Sequence, residues 1–172
     1  MYEKTVCFSG HRPEKLPHGG DENHPATGNL KSLLHKEIYD SIHAGYTEFI
    51  TGLARGVDNW AARMILDFRS REPSLRLICV RPYRDYGENW RGSDRWELAH
   101  ILEQADEIVV LGEQYHKDCM RQRNQYMVEH SAKLIAVVSD YRSGTGQTIR
   151  YAQKKGLELR VIEISQNRDF FY

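Results

Sequence analysis

The sequence is poor in cysteine and has no excess of either charge. Its three cysteines, Cys7, Cys79 and Cys119, are too few and too scattered among 172 residues for a disulfide framework. Cys7 and Cys79 lie in strand-like runs, and we expect them to be small buried apolar groups rather than nucleophiles. The 24 basic and 24 acidic residues balance. This balance disfavours a nucleic-acid partner, because sequence-independent affinity for phosphate backbones comes from a surplus of lysine and arginine.

Long hydrophobic runs are missing as well. The longest uninterrupted apolar run is Leu134–Val138, far shorter than the roughly 20 residues of a membrane-spanning helix. The N-terminus carries Glu3 and Lys4 and reaches Gly10 after a short apolar run, a pattern that does not fit a secretory signal peptide. The sequence therefore predicts a cytoplasmic protein with no membrane partner.

Familiar nucleotide and metal fingerprints are also absent. No G-x-G-x-x-G follows the first apolar run, and neither G-x-x-x-x-G-K-[ST] nor H-E-x-x-H occurs, so a standard dinucleotide site, a Walker-type phosphate loop and a zincin site are not supported. His18 and His24 flank Asp21 and Glu22, but this spacing is not that of a compact ligand set. Neither a metal nor a cofactor is predicted.

What the chain does contain is a regular alternation of short apolar runs and amphipathic stretches. Six runs, most of them rich in Val and Ile, predict strands. They are Thr5–Phe8, Glu48–Thr51, Leu75–Val80, Glu107–Leu111, Leu134–Val138 and Leu159–Ile164. Strands separated by helices need crossover connections. The sequence therefore predicts an α/β, Rossmann-like, doubly wound fold: a mostly parallel sheet of about six strands with helices on both faces, forming a single domain over residues 1–172.

Apolar residues at helical spacing lie between several of these runs. They include Leu30, Leu33, Leu34, Ile38 and Ile42; Trp60, Met64 and Phe68; Leu98, Ile101 and Leu102 within Trp96–Ala105; and a last helix over Thr148–Lys155. Trp60 begins its stripe and is expected in the core. The irregular segment Pro13–Gly28 holds three of the five prolines. A segment of this kind inside a compact domain is usually functional or disordered, so we expect a lid.

Loops of small residues follow the first, second and fifth predicted strands. Ligands of open α/β sheets bind beyond the carboxyl ends of the strands, where the strand order reverses. Glycine lets a backbone come close to a ligand, and the first amides of a helix attract anions. Ordinary turns use the same residue types, but three such loops at one edge predict a binding site. Its predicted members are Ser9, Gly10, His11, Arg12, Thr51, Gly52, Gly56, Asp58, Gly144, Thr145, Gly146 and Thr148.

Four side chains near these loops each allow two interpretations. Arg12 offers a planar donor fork to phosphate and His11 an imidazole that can donate or move a proton, yet both would also serve to anchor the segment that follows. Trp90 lies in a polar stretch where it would stack on a base or belong to a lid. Asp58 would bind a ribose hydroxyl or cap the second helix. The cap is preferred, because an acid at a helix start is favourable without any ligand.

The segment Thr51–Asp58, T-G-L-A-R-G-V-D, resembles the S-G-x-A-x-G-[IV]-D segment of the SLOG superfamily, which includes the Smf/DprA and LOG-like Rossmann proteins. The opening Phe8–Pro13, F-S-G-H-R-P, and the late Gly144–Gly146 loop are similar to its YpsA-like branch of bacterial proteins. The resemblance covers nearly the entire chain. It implies a Rossmann-like domain that binds a nucleotide or nucleotide-derived ligand and acts as a sensor or signalling component.

The enzymatic branch of this superfamily implies an alternative. LOG-type phosphoribohydrolases cleave nucleoside monophosphates with an M-x-x-R-K-x-x-M helix and a P-G-G-x-G-T-x-x-E loop. Met120–Met127 matches the first motif apart from Asn124, and Arg123 falls on the catalytic arginine. Thr148 stands where the catalytic glutamate is expected, and a hydroxyl cannot replace a carboxylate that stabilises positive charge or handles a proton. Carboxylates that would have to take its place are Asp58, Glu88 and Glu113, among which the sequence does not choose.

The expected partner is thus a nucleotide-derived small molecule. DprA-like binding of single-stranded DNA is a second alternative, which the neutral charge disfavours unless arginines cluster locally. The candidates for such a cluster are Arg121, Arg123, Arg142 and Arg150. A homo-oligomer is also considered, because the apolar tip Phe170–Tyr172 would dock either on its own domain or on a second subunit.

Overall fold

The computed structural model describes residues 2–165, and one six-stranded sheet forms the centre of this part of the chain. Its strands are β1 (Thr5–Gly10), β2 (Glu48–Thr51), β3 (Arg76–Arg81), β4 (Glu107–Val110), β5 (Lys133–Val138) and β6 (Glu158–Glu163). All neighbouring strands pair in parallel, in the order β4-β3-β2-β1-β5-β6. The predicted fold class and the predicted strands are confirmed, with ends that differ by at most two residues.

Five α-helices cover the two faces of the sheet within residues 2–165. They are α1 (Pro25–His43), α2 (Val57–Arg71), α3 (Gly92–Gln104), α4 (Cys119–Glu129) and α5 (Gly144–Lys155). None of these helices combines the length and hydrophobicity that a bilayer crossing requires. Phe170–Tyr172, the proposed docking tip, lies outside the described residues.

Alternation along the strands divides the core into two layers. Val6 and Phe8 pack with α1, α2 and α3 on one face, whereas Cys7 between them packs with α4 and α5 on the other, as expected for side chains of period two. Trp60 is 6% exposed and belongs to the first layer, which confirms its predicted core position. Leu33 does not share that role: it is 50% exposed, because it lies at the margin of the apolar stripe of α1.

The segment predicted to be irregular, Pro13–Gly28, is shorter and more ordered than expected. It contains two 3₁₀ turns, and α1 already begins at Pro25, with the His24 side chain accepting a hydrogen bond from the Ala26 N–H at 3.1 Å. Leu16 is 5% exposed and packs in the core. The segment is therefore an anchored connection rather than a lid. A lid must be able to move away from the domain at a low cost in free energy, and here such a movement would expose Leu16.

The order of the strands places the reversal between β1 and β5. From β1 the chain builds outward through β2, β3 and β4, then crosses back so that β5 pairs with the other side of β1. The loops that leave β1 and β5 therefore diverge toward opposite halves of the sheet. This divergence opens a crevice at the carboxyl edge, which is where parallel α/β sheets bind ligands.

Candidate functional site

A cavity of about 400 Å³ lies at this crevice, and we call it the switch-point cavity. Its walls come from the residues that follow β1, from the start of α2, from α4 and from the start of α5. The lining residues are Ser9, Gly10, His11, Arg12, Glu14, Lys15, Ala54, Asp58, Met120, Arg123, Asn124, Ser143, Gly144 and Thr145. Many of the residues predicted from the loops thus meet around one cavity.

His11 closes the gap between β1 and β5. Its Nε2 accepts a hydrogen bond of 2.9 Å from the Ser139 N–H, the first residue after β5. Burial of the ring lowers the pKa of His11 from its usual value, and the nearby Lys15 lowers that pKa further. Because Nε2 accepts this hydrogen bond, the ring carries its proton on Nδ1, and Nε2 is already used by the protein.

The start of α5 provides unused backbone donors. The segment expected to be a loop, Gly144–Thr148, is the first turn of this helix, and Ser143 is its N-cap. The Ser143 hydroxyl accepts a hydrogen bond of 3.2 Å from the Gly146 N–H. The N–H groups of Gly144 and Thr145 lie at the first two helical positions, where no intrahelical acceptor exists. A side chain at Gly144 would meet nothing within 4 Å, so this turn is open.

Arg12 is one of two exposed cations of the cavity, the other being Lys15. It is solvent-accessible, and no residue between positions 2 and 165 forms a hydrogen bond or ion pair with its guanidinium. An arginine beside unpaired helix N-terminal amides can bind an anion. The guanidinium N–H groups and the amides supply several hydrogen-bond donors, and the guanidinium adds positive charge.

Asp58 does not cap α2, contrary to the preferred prediction. Gly56 occupies the N-cap position, and no side chain caps this helix. The Asp58 Oδ2 accepts a long hydrogen bond of 3.4 Å from the Ala54 N–H, whereas Oδ1 is buried without a partner within residues 2–165. Burial raises the pKa of this carboxyl to about 6, although the charge of Arg123 opposes the shift.

Arg123 is held by the protein rather than left free for a phosphate. It is 6% exposed, and its Nη1 donates to the Gly52 carbonyl at 3.1 Å. Its Nε and Nη2 donate to Asn124 Oδ1 at 3.3 and 3.2 Å, and the guanidinium lies 6.0 Å from the centre of the Tyr86 ring. Arg123 thus joins α4 to the segment after β2, with one edge on the cavity wall.

Most of the predicted glycines accommodate protein atoms, not a ligand. A Cβ at Gly10 would lie 2.5 Å from the Cβ of Val57, and a Cβ at Gly52 would lie 2.7 Å from Arg123 Nε. Gly56 has a φ of +91°, and a Cβ there would lie 2.7 Å from the His11 carbonyl oxygen. A Cβ at Gly146 would overlap the Tyr141 backbone. Small residues are required at these positions because the chain packs against itself.

The remaining predicted members are divided among several locations. Ser9 and Thr145 line the cavity, but Thr51 lies behind it, where its hydroxyl donates to the Asp58 carbonyl at 3.0 Å. Thr148 donates to the Gly144 carbonyl at 3.0 Å and faces the neighbouring groove. Trp90 packs edge-on against Tyr86 and lines none of the described cavities.

Comparison with known proteins shows which family contains this chain. The family model for YpsA, described as the YspA SLOG family, matches residues 6–166. The chain belongs to this family. A UPF0398 protein of Bacillus cereus strain G9842 is 29% identical over 157 residues, which are 89% of this chain and 84% of the relative. A UPF0398 protein of Bacillus thuringiensis strain Al Hakam is 26% identical over 159 residues, which are 91% and 85% of the two chains.

Solved structures of DNA processing protein A share the fold. The protein from Helicobacter pylori, whose structure describes its single-stranded DNA binding mode, superposes with a TM-score of 0.64 and 20% identity over 96% of this chain and 68% of its own. The protein from Streptococcus pneumoniae gives a TM-score of 0.64 and 17% identity over 97% of this chain and 52% of its own. These structures show the fold, and the family match over residues 6–166 confirms the resemblance to the SLOG superfamily.

Sequence reasoning missed a second concave surface of this SLOG domain. A groove of about 610 Å³ runs between α4 and α5 and shares Met120, Asn124 and Gly144 with the switch-point cavity. We call it the α4–α5 groove. Its charged lining residues are Lys117, Asp118, Arg121, Arg150 and Lys154. Arg150 and Lys154 are spaced four residues apart on α5, which would have been the signal for a basic face on that helix.

Metal ligands are not gathered in the described residues. No group of three or more His, Cys, Asp or Glu side chains there is placed to hold an ion. The stacked rings of His18 and His24, 3.5 Å apart between centroids, belong to the connection before α1. The cysteines Cys7, Cys79 and Cys119 are all buried and free, and burial raises the pKa of Cys7 to about 12, so this thiol is not an activated nucleophile.

Proposed function

We propose that the switch-point cavity binds a nucleotide-derived small molecule through its phosphate, and that the protein acts as a sensor or signalling component. The observation that carries this proposal is the unpaired Arg12 on the same cavity wall as the free amides of Gly144 and Thr145. A cavity of about 400 Å³ falls within the range of small-molecule sites. Family membership agrees with such a role but assigns no ligand.

A thermal-shift panel tests the proposal, with nucleoside monophosphates and ADP-ribose as probes and sulfate as a minimal anion. A compound at about 100 times its dissociation constant adds about 2.7 kcal/mol, which corresponds to a rise in melting temperature of roughly 5 to 10 °C for a domain of this size. Arg12→Ala is expected to remove most of that rise. Arg71→Ala, at the far end of α2 and paired with Asp67, is the matched control.

A flat response of the wild-type protein to every compound and to sulfate would contradict the proposal. A response that Arg12→Ala and Arg71→Ala leave equally unchanged would place the ligand elsewhere on the molecule.

The α4–α5 groove supports a second candidate, the binding of single-stranded nucleic acid. Four cations and one acid line the groove, so the neutral total hides an uneven distribution of charge. This distribution weakens the expectation drawn from composition. Of the arginines expected to cluster, Arg121 and Arg150 line the groove, where Arg121 pairs with Asp118 at 3.4 Å and Arg150 donates to the Tyr141 carbonyl at 2.8 Å. Arg123 is engaged at the cavity, and Arg142 pairs with Asp140. The structural neighbour from Helicobacter pylori binds single-stranded DNA.

Fluorescence anisotropy with a labelled oligothymidylate distinguishes this candidate. Affinity is expected to fall steeply with salt, with a slope of about −0.7 per phosphate contact. The double variant Lys117→Glu/Lys154→Glu should abolish binding, whereas Lys36→Glu on α1 should not. No binding at low salt, or binding that both variants leave unchanged, would dismiss the groove as a nucleic-acid site.

A further inference from the structure

The polar side chains on the wall of the switch-point cavity are mostly engaged with protein atoms. His11 Nε2 accepts from Ser139, and Arg123 donates to Gly52 and Asn124. Glu14 forms an ion pair of 2.6 Å with Arg55. These groups therefore do not need a ligand to satisfy their hydrogen-bonding capacity.

Asp58 differs from all of them. It lines the cavity at 3% exposure, and its Oδ1 has no hydrogen-bond partner among the described residues. Its other oxygen makes the 3.4 Å contact with Ala54, which is close to the limit of a hydrogen bond. Arg123, the buried cation that influences Asp58, does not form an ion pair with it, because its donors are directed to Gly52 and Asn124. A buried carboxylate without a partner is costly unless some state of the protein supplies a donor.

We propose that Asp58 selects the ligand of the switch-point cavity by accepting a hydrogen bond from a hydroxyl or amine hydrogen that the ligand carries beside its anionic group. This inference rests on the proposed function of the cavity. It narrows the ligand class to molecules with both an anion for Arg12 and a donor for Asp58, such as a sugar phosphate moiety. An inorganic anion satisfies only the first requirement.

The structure also separates Asp58 from the other carboxylates. Glu113 is exposed and pairs with Arg84 through two oxygens, and Glu88 lies 3.8 Å from Arg81. Neither residue lines the switch-point cavity. Asp58 is thus the one buried acid on the described cavity wall.

Charged and titratable groups that face Asp58 fix the expected pH dependence. Arg123 on α4 and Arg12 after β1 favour its ionised form, while burial raises its pKa to about 6. Cys7 on β1 stays protonated because its pKa is about 12. His11, Glu14 and Lys15 share the cavity. Ionised Asp58 accepts a hydrogen bond more strongly than the protonated acid, so affinity for a donor-bearing ligand should fall as the pH drops below about 6.

The test compares the wild-type protein with Asp58→Asn, using calorimetry from about pH 8 to about pH 5. The probes are AMP, GMP and ADP-ribose, with sulfate as the anion that carries no donor. At the upper pH, Asp58→Asn should weaken the tightest nucleotide probe by about tenfold without weakening sulfate. Sulfate should bind the variant at least as well, because a negative charge has been removed. The ratio of the wild-type affinity to the Asp58→Asn affinity for the same nucleotide should approach one at the lower pH.

Two controls separate the possible failures. Asp67→Asn makes the same charge change on the exposed side of α2, where Asp67 pairs with Arg71, and should leave every affinity unchanged. The wild-type pH slope with ADP-ribose requires no variant and stands even if Asp58→Asn folds poorly, because its diphosphate, unlike the monophosphate of AMP and GMP, does not titrate at about pH 6. If neither the probes nor sulfate bind, the proposed function itself fails. If they bind but the affinity ratio stays constant with pH, or sulfate and nucleotides weaken together in Asp58→Asn, only the selection by Asp58 is overturned.

Discussion

Two small-residue segments at the same sheet edge look alike in sequence but differ in use. The segment after β2 has Gly52 and Gly56 filled by Arg123 and by the His11 carbonyl. The segment after β5 becomes the first turn of α5, and its Gly144 meets nothing within 4 Å. Glycine in a strand-end loop therefore does not identify a ligand contact. Only the surroundings of the missing Cβ show whether the space belongs to the protein or to a guest.

Gly56→Ala tests this contrast with the largest expected effect. An alanine there must adopt a φ of +91° and place its Cβ 2.7 Å from the His11 carbonyl oxygen. We expect a loss of roughly 2 to 4 kcal/mol in the free energy of unfolding, measured by urea denaturation.

The matched substitution is Gly144→Ala, which should change stability by no more than about 0.5 kcal/mol because its Cβ would point into open space. Equal losses in the two variants would show that the two segments do not differ as described.

Asp58→Asn extends the comparison to the cavity wall, where a buried carboxyl oxygen has no partner among the described residues. The folded pKa of Asp58 is about 6 against 3.8 for the unperturbed group, so the folded state binds more protons between these values. Stability contributed by this group therefore falls as the pH rises from about 4 to about 6, and it stays low above that range. Since one pKa unit is about 1.4 kcal/mol, we expect the variant to gain about 2 to 3 kcal/mol relative to the wild type between about pH 4 and pH 7.5.

Urea denaturation at the two pH values measures this gain. Comparing the variant with the wild type cancels groups with the opposite behaviour, such as Glu14 and Asp140, whose pKa values are lowered mainly by hydrogen bonds from backbone N–H groups. If the free energies of unfolding of the two proteins differ by the same amount at both pH values, the pKa of Asp58 is not raised by burial.

Sequence periodicity was sufficient to predict the sheet and the edge where the cavity lies. Runs such as Leu134–Val138 are apolar at every position because β5 is covered on both faces, which is typical of central strands in a parallel sheet. The local sequence did not reveal that Arg123 reaches across to Gly52, which is 71 residues earlier. That contact depends on α4 crossing the edge, so it is set by tertiary packing. Core packing likewise decides the place of Trp90, whose polar neighbours suggested a base-stacking or lid role although its ring packs on Tyr86 and against the first core layer.

Ser143→Ala gives the smallest expected effect and tests how the open turn is built. The Ser143 hydroxyl accepts from the Gly146 N–H at 3.2 Å and donates to the Asp140 carbonyl, whereas α2 begins at Gly56 without a side-chain cap. Loss of a serine cap costs about 1 kcal/mol, and we expect this value from urea denaturation.

Ser143→Asp should recover stability, because aspartate is also an efficient cap. It should also weaken sulfate binding, since its negative charge lies on the cavity wall. Recovery of stability without weaker sulfate binding would mean that the first turn of α5 is not the anion site, and the open space at Gly144 would lose its functional meaning.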